Sequence, residues 1–351
     1  MRCASQADAR DLAMQRVLAT TVPGLEFMVA EEAREICGQV RASYARLSGR
    51  VFLELDEKCL PQLAAKARLL EGLRLIAGEA SSLDELLVDL VAYIRGLGVE
   101  GLYFSVHAER VTKEKNFTSL DLARVVGERI ERELGLKVSL DFPDLPLYVE
   151  YEGGKYRYGL DLSFFHGLRD RSYRVFVHPS ALNPVIAYAM CRLAIPFETL
   201  LDPFCGSGTI PIECSQVAKA ELLCSDVSEL YTAGARLNAI AAGIYSRVHI
   251  FTSDVRRCPL SRTGEVDAIV TNPPFGIRER AVGGISTAYR GLFDLASFAL
   301  RGGGKLVVLT TRLEMIKNLG VRKGFSPLTV HEINEGGLTS YIVVLSRSLS
   351  S

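Results

Sequence analysis

From about Pro184 to the end of the chain, short β-rich runs alternate with segments that have the hydrophobic spacing of a helix. The β-rich runs include TLLD, ELLCSD, RVHIF, VDAIVT and KLVVLTT, and helical segments such as YTAGARLNAIAAG separate them. A helix between successive strands favours a largely parallel sheet with helices on both faces. The last two runs, SPLTVHEINEG and LTSYIVVLSR, predict an antiparallel pair that closes the sheet. Ligands of such sheets bind beyond the carboxyl ends of the strands.

The N-terminal half has a different pattern. Between Arg16 and Gly78 the runs follow the order β-α-β-β-α-β, which is the split ferredoxin-like pattern. A second α+β unit begins at Ser81, with Ser81 or Ser82 as candidate N-cap, and ends in a hairpin about Gly153-Gly154. These patterns predict four segments. They are an N-terminal domain at 1–79, a second domain at 80–165, a linker at 166–183 and the alternating domain at 184–351.

Composition limits the classes of function. The 351 residues include 41 basic and 41 acidic side chains, so bulk charge does not indicate a nucleic-acid partner. The chain has no unbroken apolar run of roughly 18 residues and no apolar signal region at its start, so we expect a cytosolic protein. The eight cysteines form no C-x-x-C pair, and we expect them to be reduced, without disulfides or a bound metal.

Ligand-competent residues follow the first three strands of the alternating domain. The first strand ends in DPFCGSGTIPIE, where Gly206 and Gly208 permit a tight turn that a ligand can approach closely. The second strand ends at Asp226, whose carboxylate can accept from both hydroxyls of a ribose. The third ends at Asp254, which can accept from an adenine amino group. This series predicts a nucleoside-containing cofactor.

The fourth strand ends in NPPF, residues 272–275. Asn and Pro often end a strand for conformational reasons alone, but here they are the last of four such strand ends. An exocyclic aromatic amine is a poor nucleophile, because its lone pair is delocalised into the ring. The side-chain carbonyl of Asn272 and the backbone carbonyl of Pro273 can hold its two hydrogens, and the fixed φ of proline keeps that carbonyl in place. Phe275 can stack on an extruded base.

A nicotinamide dinucleotide is the main competing cofactor. The third glycine of G-x-G-x-x-G is missing, because position 211 is Pro. Asp202 would also face the pyrophosphate with its negative charge. Asp202 suits a cationic cofactor better. We expect the five histidines to be structural or surface residues rather than catalytic ones.

DPFCGSGT, Asp226, Asp254 and NPPF resemble the motifs of S-adenosylmethionine-dependent amino methyltransferases with a Rossmann-like domain. VPGLE at 22–26 and KNFTSLDLAR at 115–124 are similar to the ferredoxin-like and THUMP arrangement of RNA-modifying enzymes. Together they resemble the archaeal THUMP-type tRNA guanine-N2 methyltransferases, which modify the acceptor stem. The resemblance implies an α/β fold, in which a mostly parallel seven-stranded Rossmann-like domain follows α+β ferredoxin-like and THUMP domains. It also implies S-adenosyl-L-methionine as methyl donor and S-adenosyl-L-homocysteine as product.

The resemblance also implies roles for individual residues. The catalytic set is Asn272, Pro273, Pro274 and Phe275, the last standing where many relatives carry Tyr. The cofactor-binding set is Ser180, Ala181, Leu182, Asp202, Phe204, Gly206, Gly208, Thr209, Asp226, Val227, Asp254, Val255 and Asn272. The RNA-binding set is Arg110, Lys113, Lys115, Arg278 and Arg280.

Several alternatives stay open at this point. The same NPPF motif would serve guanine N2 at another tRNA position, or N6 of adenine or N4 of cytosine in ribosomal RNA or DNA. A protein that binds RNA with a non-catalytic cofactor fold is a further possibility. We expect tRNA as the partner, no membrane association and a monomer.

Overall fold

The computed structural model describes residues 14–98, 100–113, 116–178, 180–260, 263–275 and 283–348. The described chain divides into two compact units. The first contains Val29–Ala45 and Arg50–Leu168 together with the first strand, and the second contains Arg169 onward together with Thr21–Met28 and Arg46–Gly49. The change from the first unit to the second at Leu168/Arg169 lies within the predicted linker at 166–183. The division does not test the split at 79/80, and the predicted domain bounds stay predictions.

The first half of the chain forms α+β structure in the predicted order. Its helices and strands are β1 (Met14–Thr20), α1 (Glu26–Cys37), β2 (Arg41–Tyr44), β3 (Arg50–Asp56), α2 (Leu60–Lys66), β4 (Gly72–Ala80), α3 (Leu83–Gly96), β5 (Tyr103–Arg110), α4 (Ser119–Leu134), β6 (Lys137–Val138), β7 (Leu145–Glu152) and β8 (Lys155–Asp161). In the described residues these strands form one sheet of eight, in the order β2-β3-β1-β4-β8-β7-β5-β6. The predicted β-α-β-β-α-β order is confirmed, and its last strand, β4, pairs antiparallel with β8.

Local signals that the sequence carries determine where these elements begin. Ser82 caps α3 by accepting a hydrogen bond from the backbone N–H of Glu85 at 3.1 Å. Thr118 and Asp121 form a reciprocal capping box at the start of α4. β7 and β8 form the hairpin predicted about Gly153-Gly154.

The second half alternates strand and helix, as predicted. Its elements are α5 (Pro184–Ala194), β9 (Thr199–Asp202), α6 (Thr209–Cys214), β10 (Glu221–Asp226), α7 (Glu229–Ala241), β11 (Val248–Thr252), β12 (Val266–Thr271), α8 (Ile285–Ala299), β13 (Leu300–Thr310), α9 (Leu313–Arg322), β14 (Phe325–Glu335) and β15 (Leu338–Arg347). In the described residues the sheet has seven strands, in the order β11-β10-β9-β12-β13-β15-β14. The first five are parallel and the last two antiparallel, which confirms the predicted fold class.

The middle of this sheet is covered on both faces, so its strands are almost continuously apolar. Val266, Ala268, Ile269 and Val270 of β12 are all fully buried. α8 packs the side chains of Leu292, Phe293 and other apolar residues into the same core. The polar residues at the strand ends therefore mark the point where the sheet leaves its core.

The expectation that every cysteine is reduced is wrong. Cys37 and Cys59 form a disulfide with a Cα–Cα distance of 5.6 Å, and Cys191 and Cys214 form another at 5.0 Å. Each pair is more than twenty residues apart in sequence, at 22 and 23 residues. Helix packing brings them together, which spacing in the sequence does not report. None of the helices in the described residues has the length and apolarity needed to cross a membrane.

Candidate active site

A cavity of about 380 Å³ lies in the second unit, where the carboxyl ends of β9, β10, β11 and β12 meet. Twelve of the residues predicted for the site line it, namely Ser180, Leu182, Asp202, Phe204, Gly206, Thr209, Asp226, Val227, Asp254, Val255, Asn272 and Pro274. Among the described residues predicted for catalysis or cofactor binding, Ala181, Gly208, Pro273 and Phe275 do not line it. Each of these four is adjacent in sequence to one that does.

The glycine loop between β9 and α6 forms one wall of the cavity. Gly206 and Gly208 have φ angles of 51° and 81°, in the left-handed region that residues other than glycine rarely adopt. A Cβ on Gly206 would lie 2.6 Å from Nε2 of His178, which is too close. The loop therefore has the tight, glycine-dependent turn that the G-x-G spacing predicts. Close approach by a ligand stays a prediction.

Asp202, at the end of β9, is 1% exposed. Its Oδ1 accepts hydrogen bonds from Thr271 Oγ1 at 2.7 Å and from the backbone N–H of Phe204 at 3.1 Å. Its Oδ2 is buried and has no partner among the described residues. Burial raises the pKa of Asp202 to about 7. A buried carboxylate oxygen without a partner fits a cationic ligand group, because ionisation then becomes favourable.

Asp226, at the end of β10, faces the glycine loop. Its Oδ2 accepts from the backbone N–H of Gly206 at 3.0 Å, and its Oδ1 accepts from the backbone N–H of Ser228 at 2.9 Å. Burial raises the pKa of this carboxyl group above its ordinary value. Each oxygen has a second lone pair, so the pair of oxygens suits a diol such as a ribose.

Asp254, which follows β11, is held by Arg256. Its Oδ1 accepts from the backbone N–H and from Nε of Arg256 at 2.9 and 2.8 Å, and its Oδ2 accepts from Nη2 at 2.5 Å. These hydrogen bonds lower the pKa of Asp254 to about 2. The carboxylate is therefore ionised in a fixed orientation on the cavity wall.

The NPPF segment follows β12. Asn272 lines the cavity, and its side-chain oxygen Oδ1 is buried without a partner among the described residues. The preceding residue, Thr271, is fully buried and bonded to Asp202, so the ends of β9 and β12 are joined directly. Pro273 is buried, whereas Pro274 and Phe275 are half-buried. Asn272 and Asp202 thus each bring an unpartnered buried oxygen to the residues that line the same cavity.

Ten residues that line the cavity were not among the predicted site residues, and two of the ten, His178 and Arg256, have basic side chains. His178 was expected to be structural, and Arg256 was not considered. The imidazole of His178 stacks on Tyr231 with ring centroids 4.5 Å apart, and its Nδ1 accepts from the backbone N–H of Ser180 at 3.2 Å. The sequence did carry a signal for His178, since it begins the HPSAL segment whose last residues were predicted to bind the cofactor.

The predicted linker is attached to the cavity by buried polar contacts. The side chain of Asn238 on α7 accepts from the backbone N–H of Phe176 at 2.9 Å, and it donates to the backbone oxygens of Phe176 and Ser207 at 2.8 and 2.9 Å. Tyr173 donates to the fully buried Glu213 of α6 at 2.8 Å. Ser180 and Leu182 reach the cavity because both ends of the segment before them are fixed.

The predicted RNA-binding residues are only partly described. Arg110, at the end of β5, donates from Nη1 to the backbone oxygen of Phe117. Lys113 is exposed. Lys115, Arg278 and Arg280 lie outside the described residues. The RNA-binding role of all five stays a prediction. No group of three or more His, Cys, Asp or Glu suited to a metal ion occurs in the described ranges.

The chain matches two known protein families. The family described as RMKL-like methyltransferase domains matches residues 171–340, and the THUMP domain family matches residues 93–156. The chain is 31% identical to a tRNA (guanine(6)-N2)-methyltransferase of Archaeoglobus fulgidus over 371 residues, which cover 94% of this chain and 91% of the relative. This chain belongs to that THUMP-containing methyltransferase family.

Other members support the assignment. The tRNA (guanine(6)-N2)-methyltransferase of Methanocaldococcus jannaschii is 26% identical, over 93% of this chain and 98% of that protein. The crystal structure of TrmN from Thermus thermophilus matches with a TM-score of 0.79 and 29% identity, covering 95% of this chain and 99% of that one. The predicted family, the methyltransferase fold and the dependence of that family on S-adenosyl-L-methionine are thereby confirmed.

Proposed function

We propose that this protein transfers a methyl group from S-adenosyl-L-methionine to the exocyclic N2 amine of the guanosine at position 6 of a tRNA. One observation carries the proposal, and it is the order of the strand ends. Along the sheet β11, β10, β9 and β12 are neighbours, and they present Asp254, Asp226, Asp202 and Asn272 in that order. Neighbouring strands lie about 4.8 Å apart, so this row extends over about 14 Å. In the order Asp254, Asp226, Asp202 and Asn272, these residues match the adenine, the ribose and the amino-acid part of the cofactor and then the acceptor amine.

The cofactor would be held by carboxylates. Asp226 accepts from the ribose hydroxyls with the lone pairs that Gly206 and Ser228 leave open. The free Oδ2 of Asp202 accepts from the cationic ammonium group, and this contact lowers the pKa that burial has raised. When bound, S-adenosyl-L-methionine supplies a methyl group activated by a sulfonium.

The acceptor amine would be held by carbonyls. Asn272 Oδ1 and the backbone oxygen of Pro273 accept its two hydrogens and direct its nitrogen toward the cofactor. The hydrogen bond between Thr271 and Asp202 joins the cofactor side and the acceptor side in one rigid unit. The rate of methyl transfer then depends mainly on how the amine nitrogen is positioned relative to the cofactor. No strong base is needed, because the amine loses its proton during or after transfer from a cationic donor. Phe275 stacks on the extruded base.

The choice of base and RNA rests on the relatives. The carbonyl pair would serve N6 of adenine or N4 of cytosine equally well. The relatives from Archaeoglobus and Methanocaldococcus are both named for guanine N2 at position 6 of tRNA. The THUMP segment at 93–156 supports structured RNA as the substrate. A cytoplasmic location follows from a tRNA substrate. A monomer is part of the same proposal.

The test uses unmodified tRNA and S-adenosyl-L-methionine labelled in the methyl group. After incubation the RNA is digested to nucleosides, and we expect label only in N2-methylguanosine. A matched transcript with adenosine at position 6 should accept none. Label in another nucleoside, or undiminished label in the substituted transcript, would contradict the assignment of base or position. Asn272→Ala distinguishes an enzyme from a binding protein, since methylation should fall while RNA and cofactor binding remain.

A further inference from the structure

The pairing of Asp254 with Arg256 at the end of β11 has a consequence for cofactor recognition. We propose that Arg256 is a positioning residue that fixes the Asp254 carboxylate as the acceptor for the 6-amino group of the cofactor's adenine. Arg256 thereby makes the site prefer adenine over 6-oxopurines. The inference rests on the proposed function, in which the adenine lies beside Asp254 at the end of the strand row.

The hydrogen bonds of the carboxylate determine which acceptor direction remains open. A carboxylate offers about four lone-pair directions. The backbone N–H and Nε of Arg256 both donate to Oδ1, and Nη2 donates to Oδ2. Oδ1 is therefore saturated, and one direction remains on Oδ2. Because the guanidinium binds both oxygens, the carboxylate cannot rotate without breaking the pair.

A glycine on α8 makes room for the arginine. A Cβ on Gly291 would lie 2.9 Å from Cγ of Arg256 and 3.1 Å from Cγ1 of Val255, which is too close. The arginine therefore packs along α8 while its side chain lines the cavity beside Asp254. The contact with Gly291 is tight enough that any side chain there would displace the arginine.

The chemistry of the two purines differs at this position. The 6-amino group of adenine donates a hydrogen, whereas the 6-oxygen of hypoxanthine only accepts. Asp254 is ionised at neutral pH, as any aspartate with an ordinary or lowered pKa is, and an ionised carboxylate can only accept. A fixed acceptor facing a second acceptor is repulsive. A carboxylate released from Arg256 could rotate toward the N1–H of hypoxanthine, so the preference depends on the arginine.

The test measures binding rather than catalysis. S-adenosyl-L-homocysteine and S-inosyl-L-homocysteine are titrated calorimetrically into the full-length protein. A hydrogen bond to a charged group corresponds to a preference of ~10-fold to ~100-fold for the adenine compound in the unaltered protein. In Arg256→Gln the ratio should fall below ~3-fold. Arg256→Lys keeps the charge but not the two-pronged geometry, so it should also lose most of the preference.

Arg257→Gln is the matched control. Arg257 is the next residue, is exposed and is outside the cavity lining, so its removal takes away one nearby charge without altering the pair. This variant should keep the full ratio. If Arg256→Gln does not fold, Gly291→Ala takes its place in the test, since a Cβ there displaces Arg256 without removing a charge. This variant should lower the ratio of the affinities for the two compounds.

The possible results separate the two proposals. A full adenine preference in Arg256→Gln or, if that variant does not fold, in Gly291→Ala would overturn the positioning role while leaving the proposed function intact. Loss of the preference in Arg257→Gln to the same extent would also overturn it, because general charge would then be the cause. If the unaltered protein binds neither compound, the proposed function fails and this inference fails with it.

Discussion

Replacing Asp202 by asparagine should weaken cofactor binding and stabilise the cofactor-free protein. The carboxylate is buried, and its Oδ2 has no partner among the described residues. Asparagine keeps an oxygen that Thr271 and Phe204 can both donate to, so the local structure should persist. What the substitution removes is the negative charge. The affinity for the cofactor should therefore fall, while the stability of the cofactor-free protein should rise.

The loss of affinity follows from the charge. A buried hydrogen bond between charged groups contributes about 1.5–3 kcal/mol, so the dissociation constant for S-adenosyl-L-homocysteine should rise ~10-fold to ~100-fold. Binding to the unaltered protein should also depend on pH, because the cationic ligand requires the ionised carboxylate and burial raises its pKa to about 7. Affinity should therefore fall about tenfold from about pH 8 to about pH 6. The asparagine variant should show no such dependence.

The gain in stability follows from the raised pKa. Between the ordinary pKa of an aspartate and about 7, the folded protein binds a proton that the unfolded chain has released, so stability decreases as pH rises through this window. A pKa about three above the ordinary value corresponds to about 4 kcal/mol. The new amide N–H groups lack partners and offset part of this, which leaves ~2 kcal/mol for the variant at about pH 8. No gain is expected at about pH 2, where aspartate is neutral in both states.

Calorimetric titration at three pH values and urea unfolding of both proteins are the assays. An affinity that is independent of pH in the unaltered protein, or an asparagine variant that binds as tightly, would refute the role of Asp202. A variant that is less stable at every pH would refute the burial argument.

Three further predictions concern the glycine loop, the disulfide and the target base. Gly206→Ala should reduce the affinity for S-adenosyl-L-homocysteine at least ~10-fold by calorimetry, because a Cβ at this position would lie 2.6 Å from the imidazole of His178. Gly243→Ala, also at positive φ but with open space around it, should leave the affinity unchanged. Equal affinities of the two variants would contradict this prediction. Replacing both Cys191 and Cys214 by serine should lower the free energy of unfolding by about 3 kcal/mol under oxidising conditions. If a reductant leaves the urea midpoint of the unaltered protein unchanged, this disulfide is not formed in solution. Phe275→Leu should slow methyl transfer to tRNA ~10-fold or more in single-turnover assays with cofactor affinity retained, while Phe275→Tyr should stay active, and an equally fast leucine variant would exclude stacking.

Local periodicity accounts for the parts of the fold that the sequence could predict. The spacing of apolar residues around β9 to β13 reports strand and helix directly, and covalent order together with the preference for parallel pairing then places the strand ends along one edge. This explains why most of the predicted cofactor residues line one cavity. A capping residue such as Ser82 could be predicted for the same reason, since its partner Glu85 lies within one turn.

Features that depend on contacts between distant segments could not be predicted in this way. The pairing of Cys191 with Cys214 needs the packing of α5 against α6, and the pairing of β4 with β8 needs a neighbour almost eighty residues away. The contact of Asp254 with Arg256 is local, but an acidic and a basic residue two positions apart are common in any sequence. Their place in the cavity wall, and the packing of Arg256 against Gly291 of α8, depend on the fold.

A crystal structure of the protein with S-adenosyl-L-homocysteine tests the central claim most directly. We expect the adenine beside Asp254, the ribose hydroxyls on Asp226, the amino group on Asp202 and the sulfur facing Asn272. A ligand bound in the reverse direction, or one whose sulfur lies away from residues 272–275, would contradict the account.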